Sequence, residues 1–252
     1  MYAVKRADRT RAARRRDIFD SSGLPGTQPE QTPMIRSLLA PEVASYLDQL
    51  VPPRDPLTAA MEAEALKTDF PIIGPVCGHL CYLLTRLTGA RRVFELGSGH
   101  GYSTAWFARA VRENGGGTVH HVVWDEALSQ RAREYLLALG LAEQVEFHVG
   151  EAVATLRERS ETYDVIFNDI DKEGYPGALA AIEAKLRPGG LLIADNLLWS
   201  GRIFDASDRS PATEGIRSFT GMVAGNPAWI SSLIPIRDGM LVARRTSGAY
   251  LT

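Results

Sequence analysis

Three oxygen-bearing side chains stand at the ends of two apolar runs: Asp169 closes DVIFND, and Asp195-Asn196 closes GLLIADN. Two carboxylates and an amide brought together form the donor set of a hard divalent cation, with water completing an octahedron. Lys172 follows Asp169 by three residues, within reach of anything bound there. A cation's charge lowers the pKa of a neighbouring ammonium, so Lys172 is a candidate general base. The plainer alternative makes Asp195-Asn196 a turn or helix cap, and Asp169 and Lys172 a surface ion pair. Convergence of several strand ends favours the site. A second stretch, RRVFELGSGHGYS at 91–103, offers a different chemistry. Its apolar run ends in Glu95, Gly97, Gly99 and Gly101 come at alternate positions, and Tyr102-Ser103-Thr104 opens a helical pattern. Glycines let a backbone approach a ligand closely, and the free N–H groups of a helix start attract an anion. The turn is expected to hold a small molecule bearing a carboxylate or phosphate.

The elements that must position these residues alternate from Arg91 onward. Strands are expected at 92–96, 118–124, 144–149, 164–169 and 190–195, with helices between them at 102–113, 126–139, 151–158 and 173–186. Such alternation is the signature of a mainly parallel sheet with crossover helices. After a helix at 211–224, WISSLIPI and MLVARR flank Arg237-Asp238-Gly239, which predicts a hairpin. The fold class is therefore α/β: a Rossmann-like, doubly wound, mainly parallel seven-stranded sheet with a reversed strand at its edge. Ligands of such sheets bind beyond the carboxyl ends of the strands, near the switch point. Three helical patterns, at 35–50, 56–68 and 75–88, precede the sheet. Residues 1–32 read as a basic, then polar arm, and 33–252 as a single domain.

A net charge of −2 gives no reason to expect a nucleic-acid binder or a membrane-surface protein. That average hides Lys5, Arg6, Arg9, Arg11 and Arg14–Arg16 at the start, a block that reads as a solvated arm. No apolar run reaches membrane-spanning length, and the first residues lack the apolar core of a secretory signal. Asp8 and Asp17 argue against a transit peptide. The two cysteines, Cys77 and Cys81, share a helix face and read as core, which fits a reducing cytoplasm.

Three segments, FELGSGHGYS, FNDIDKEGYPGAL and LRPGGLLIADNLLWSGRI, resemble the class I S-adenosylmethionine-dependent O-methyltransferases of the metal-dependent catechol and caffeoyl-CoA group. The resemblance runs from about Ile35 to Arg244. It implies S-adenosylmethionine as cofactor, a divalent cation (Mg²⁺ on abundance), and a small phenolic acceptor with neighbouring oxygens. By position it places Ile73, Glu95, Gly97, Gly99, Ser103, Trp124, Ala152 and Asp169 around the cofactor. It places Asp169, Asp195 and Asn196 on the metal, and gives Lys172 the base role. Trp199 falls where the acceptor ring is walled, and Tyr175 in the same motif is given packing alone. Members of the group are often dimers, so a homodimer is expected.

The strand TVHHVVW should end in an acid that holds the cofactor ribose, yet Val123 occupies that position. Asp125, two residues on and on the same side by strand alternation, is the expected substitute. His100 reads as a loop residue. Two other functions stay open at this level. One is RNA modification served by the basic arm. The other is a repurposed, non-catalytic homologue. A nicotinamide dehydrogenase is disfavoured because the glycine spacing is not G-x-G-x-x-G.

Overall fold

The computed structural model describes residues 38–247, so the basic arm at 1–32 lies outside the described residues. Helices α1 (Pro41–Leu50), α2 (Pro56–Thr68) and α3 (Gly74–Leu87) precede the sheet. Asp55 caps α2, its carboxylate accepting from Leu57 and Thr58 N–H, and Pro56 takes the first turn. Described structure at the first helix begins later than the periodicity predicts: α1 starts at Pro41, and 35–37 are outside the described range.

The sheet follows with β1 (Arg92–Leu96), α4 (Tyr102–Glu113), β2 (Thr118–Val123), α5 (Glu126–Ala138), β3 (Val145–Val149), α6 (Ala152–Glu158) and β4 (Tyr163–Asn168). Helix α7 (Tyr175–Lys185), β5 (Leu186–Ala194), α8 (Pro211–Ala224), β6 (Trp229–Ile234) and β7 (Met240–Arg245) complete it. Seven strands lie in the order β3-β2-β1-β4-β5-β7-β6. Strands β1 to β5 pair in parallel, and β7 runs antiparallel to both β5 and β6. The reversed strand is therefore β7, which does not lie at the edge where the sequence reading put it. It is inserted between β5 and β6, and β6 is the edge.

Both faces of the sheet are covered, which is why its strands read as nearly continuous apolar runs. Phe94, Leu96, Ile166 and Leu192 face a core shared with α6, α7 and α8. Val93, Val165, Phe167 and Ile193 face the opposite core, with α3 and α4. Cys77 and Cys81 lie in that second core, fully buried, with burial pushing both thiols upward. The order of strands reverses between β1 and β4, so their carboxyl ends form the switch-point crevice. Among the described residues no helix is long and apolar enough to cross a membrane.

Candidate active site

At the crevice the strand ends are tied to one another by backbone. Asp169 N–H donates to Leu96 O at 2.8 Å, Asp195 N–H to Asn168 O at 3.2 Å, and Ser98 N–H to Val122 O at 3.0 Å. Gly97 makes this closeness possible. Its φ is +85°, and a Cβ there would stand 2.5 Å from the carbonyl oxygen of Asp169. The glycine turn and the acidic strand end thus share one wall.

Asp195 is buried, with one oxygen, Oδ2, accepting from Arg237 at 3.0 Å. Its other oxygen, Oδ1, is buried and has no hydrogen-bond partner among the described residues. Burial pushes this carboxyl up to about 6, with Arg237 and Lys172 opposing the shift and Asp169 adding to it. Asn196 stands at φ +64° and donates from Nδ2 to Asp238 at 3.2 Å. Asp238 also accepts from Ser200 N–H at 2.5 Å, so the β6–β7 turn holds Asn196 and the loop beyond it. A buried, unpartnered carboxylate oxygen beside a second carboxylate and an amide is a costly arrangement that a cation satisfies. The residues present fit the expected metal.

Lys172 donates to Asp169 Oδ1 at 2.6 Å, to Ile170 O at 3.2 Å and to the Tyr175 hydroxyl at 3.2 Å. Burial favours loss of its proton, but the Asp169 carboxylate and Tyr175 outweigh burial and hold the ammonium well above the usual lysine range. In the chain by itself the direction is opposite to that expected of a general base. Tyr175 does more than pack. Its buried hydroxyl lies 3.0 Å from both Asn168 O and Asp195 O, bridging the ends of β4 and β5 while accepting from Lys172.

On the glycine side, no side chain caps the N-terminus of α4, and Ser103 in its first turn is nearly buried. Open N–H groups at the start of a 12-residue helix are a ready carboxylate site. Glu95 is fully buried and accepts from Thr104, and burial pushes it up to about 7. Gly99 faces the Phe70 ring, and His100 lies in the turn as expected and is buried there, its ring stacked on Phe70 at 4.5 Å. Trp124 is 70% exposed just past β2, a bare apolar face at the crevice. Val123 does end β2, and Asp125 beside it caps α5, accepting from Leu128 N–H at 3.0 Å. Among the described residues Leu128 N–H is the one donor to the Asp125 side chain, whose second carboxylate oxygen is left open, while Ser129 N–H donates to its backbone carbonyl at 3.0 Å. Ala152 is buried at the start of α6, whose cap is Glu151.

Ile73 lines an apolar cleft of about 160 Å³ with Leu47, Val76 and Arg237. Arg237 donates to Ile72 O at 2.7 Å as well as to Asp195, so it bridges this cleft and the acidic cluster. Trp199 has φ +46°, its indole Nε1 is buried without a partner among the described residues, and Arg202 lies over its ring at 5.7 Å. Arg237 and Asp238 are positioning residues that sequence reasoning read only as a turn, and Tyr175 is one that it credited with packing alone. The first two were hidden because Asp-Gly after a β-run signals a turn and nothing more.

A family model described as O-methyltransferase matches residues 59–246. A catechol O-methyltransferase of Niastella koreensis is 30% identical over 212 residues, 80% of this chain and 95% of that protein. Among solved structures, the O-methyltransferase TomG of Streptomyces achromogenes, in complex with S-adenosylmethionine, superposes with a TM-score of 0.74 at 28% identity. The match covers 82% of this chain and 96% of TomG. An O-methyltransferase of Bacillus cereus, in complex with S-adenosylhomocysteine, gives 0.74 and 28%, covering 81% and 97%.

Proposed function

The chain belongs to the family of S-adenosylmethionine-dependent O-methyltransferases, and from that premise we propose that it methylates one hydroxyl of a small catechol-like acceptor in a divalent-metal-dependent reaction. The observation that carries this reading is the unpartnered buried oxygen of Asp195, facing the same crevice as Asp169 and the glycine turn. When bound, S-adenosylmethionine supplies an electrophilic methyl on sulfur, and a divalent cation (Mg²⁺ in this reading) acidifies a chelated hydroxyl. Asp169, Asp195 and Asn196 hold the cation. Gly97, Gly99 and Ser103 with the α4 N-terminus hold the methionine carboxylate, Ile73 and Glu95 flank it, and Trp124 and Ala152 bound the adenine. Asp125 is assigned the ribose. Trp199 walls the acceptor ring, and the cleft beside Ile73 admits it.

Asp169, Asp195, Asn196 and Trp199 would orient the acceptor oxygen toward the methyl group held beside the glycine turn, with the thioether leaving as the other product. Alignment of the two supplies much of the acceleration. In this reading Lys172 would take the hydroxyl proton at Nζ after releasing its own to solvent, a loss favoured once Asp169 turns from the ammonium to the cation. A homodimer is part of the reading, supported by the exposed Val43, Tyr46 and Leu50 of α1; sedimentation at the monomer mass would remove it. A small acceptor in the cytoplasm, rather than a nucleic acid, accords with the net charge of −2.

The deciding experiment is a panel of catechol-like acceptors assayed for methyl transfer with and without Mg²⁺. Transfer to vicinal diols that disappears on chelation and returns with Mg²⁺ is the expected result. Asp169→Ala and Asp195→Ala should each abolish turnover while S-adenosylmethionine binding partly survives in calorimetry. Undiminished activity after exhaustive chelation contradicts the metal requirement.

A further inference from the structure

A second group of ligating side chains lies on the other arm of the sheet. Strand β3 is an edge, and Glu146 and His148 stand two residues apart on it, so alternation turns both to one face. Register pairs His120 of β2 with Glu146, and Val122 with His148. His120 therefore sits across from Glu146 and diagonal to His148. Its Nδ1 is 3.1 Å from His148 Nε2 and 3.6 Å from Glu146 Oε2. Ligand atoms of the three residues all lie within 4.8 Å of one another. Behind the His120 ring, Nε2 is 3.8 Å from Glu161 Oε1, and Glu161 accepts from the Tyr163 hydroxyl at 2.9 Å. Phe94 and Tyr163 pack on the same ring at 5.6 and 5.2 Å. Three residues of strand, about 10 Å, separate His120 from Val123 at the crevice. Methyl transfer makes no use of this cluster.

We propose that His120, His148 and Glu146 bind a divalent transition ion of the zinc class, with Glu161 orienting His120 from behind. A tetrahedral ion with ligands at 2.0–2.1 Å sets its ligand atoms about 3.3 Å apart, and the two separations from His120 Nδ1 bracket that value. Two imidazoles and one carboxylate are borderline donors, suited to Zn²⁺ and not to Mg²⁺ or Ca²⁺. At 3.8 Å the Glu161 carboxylate is beyond hydrogen-bond distance of Nε2, but its negative charge favours the tautomer of His120 with the proton at Nε2 and the Nδ1 lone pair toward the cluster. His148 then donates its Nε2 proton to that lone pair in the empty site. On binding, His148 carries its proton at Nδ1 instead and turns its ring so that Nε2 meets the ion. Its place on an edge strand, only half-buried, permits this. The Glu146 side chain is 57% exposed, so the fourth position opens to water. The ion would clamp the edge strand to its neighbour.

The test uses untagged, chelator-stripped, full-length protein titrated with Co²⁺. Histidine-ligated tetrahedral Co²⁺ absorbs strongly in the visible, whereas an all-oxygen octahedral site absorbs only faintly, which separates this cluster from Asp169, Asp195 and Asn196. Cys77 and Cys81 are fully buried with thiols held protonated, so they do not compete. One equivalent of tetrahedral Co²⁺, displaced by Zn²⁺, is the expected result. His148→Gln and the exposed-site variant Glu146→Gln should remove the band, Glu161→Gln should weaken binding about 10–100-fold, and Asp195→Asn should leave it intact. Zn²⁺ should raise the Tm of the wild type and not that of His148→Gln. S-adenosylmethionine binding checks that each variant is folded. A wild type with neither the band nor a Zn²⁺-dependent Tm overturns the proposal, leaving a hydrogen-bonded histidine pair. A band unchanged in both His148→Gln and Glu146→Gln overturns it equally.

Discussion

At the residue scale the site is a balance of two cations of the chain against two carboxylates. Lys172 answers Asp169, and Arg237 answers one oxygen of Asp195. If Lys172 receives the acceptor proton, Lys172→Ala should lower kcat by roughly 10²–10⁴-fold, the range for a lost acid–base group, with a smaller change in KM. Steady-state kinetics on the best acceptor reads this, and an unchanged kcat removes Lys172 from the chemistry. Arg237 makes a different prediction. It is 78% covered and its partner almost wholly so; losing it strands a buried charge, at a cost of about 1–3 kcal/mol. Each kcal/mol is worth about 2–4 °C for a chain of this size. Under the proposed metal reading, a cation at Asp195 would balance the carboxylate charge that Arg237 otherwise offsets, so excess Mg²⁺ should return part of the Tm lost in Arg237→Ala. An equal loss with Mg²⁺ and with chelator would mean that the cation does not reach Asp195.

At the scale of elements, what places Lys172 is a helix packed behind its turn. Gly215 of α8 packs on the turn at Lys172–Gly174, where a Cβ would collide with the Lys172 carbonyl and stand 2.9 Å from Glu173 Cα. Gly215→Ala must push that turn away from the crevice. Misplacement by an ångström costs of order 10²-fold in rate, so kcat should fall steeply while S-adenosylmethionine affinity holds. Gly221, on the same helix with open space around it, is the control. Gly221→Ala should leave kcat alone and raise stability by about 0.5–1 kcal/mol, since only backbone entropy changes. Equal kcat values for the two variants would detach α8 from the site. The elements themselves were legible because their signals are local: α2 and α8 begin at Pro56 and Pro211, and β1 is a short apolar run stopped by a glycine turn. The position of β7 was not legible. WISSLIPI and MLVARR are similarly apolar, and only long-range packing on β5 decides which one sits inside. The acidic strand ends could be read for the same local reason, whereas the work of Arg237 and Asp238 depends on where a distant turn lands.

At the scale of the whole molecule, covering both faces of the sheet forces titratable groups into the interior, and their protonation becomes a property of the fold. His121 of β2 is fully buried, its Nδ1 3.0 Å from Thr104 Oγ1, and burial, aided by Arg133, pulls it down to about 3. Burial lowers His100, His120 and His148 as well. Between the ordinary histidine value of about 6.5 and the folded value, the unfolded chain binds a proton that the native state refuses. Stability from His121 is thus complete above pH 6.5 and drains away as pH falls toward 3. Glu95 works in the other direction. Its folded value of about 7 lies above the ordinary 4.5, so the native state binds the extra proton and stability drops as pH rises through that window. The two opposing limbs overlap, and single variants separate them. His121→Asn keeps a polar atom where Nδ1 meets Thr104 but cannot titrate. Measured against wild type by denaturant unfolding in chelator, it should gain about 1.4 kcal/mol for each pH unit below 6.5. Glu95→Gln should gain on wild type instead as pH rises from 4.5 to 7. Parallel pH profiles for the wild type and both variants would show that neither buried group titrates differently in the native and unfolded chains.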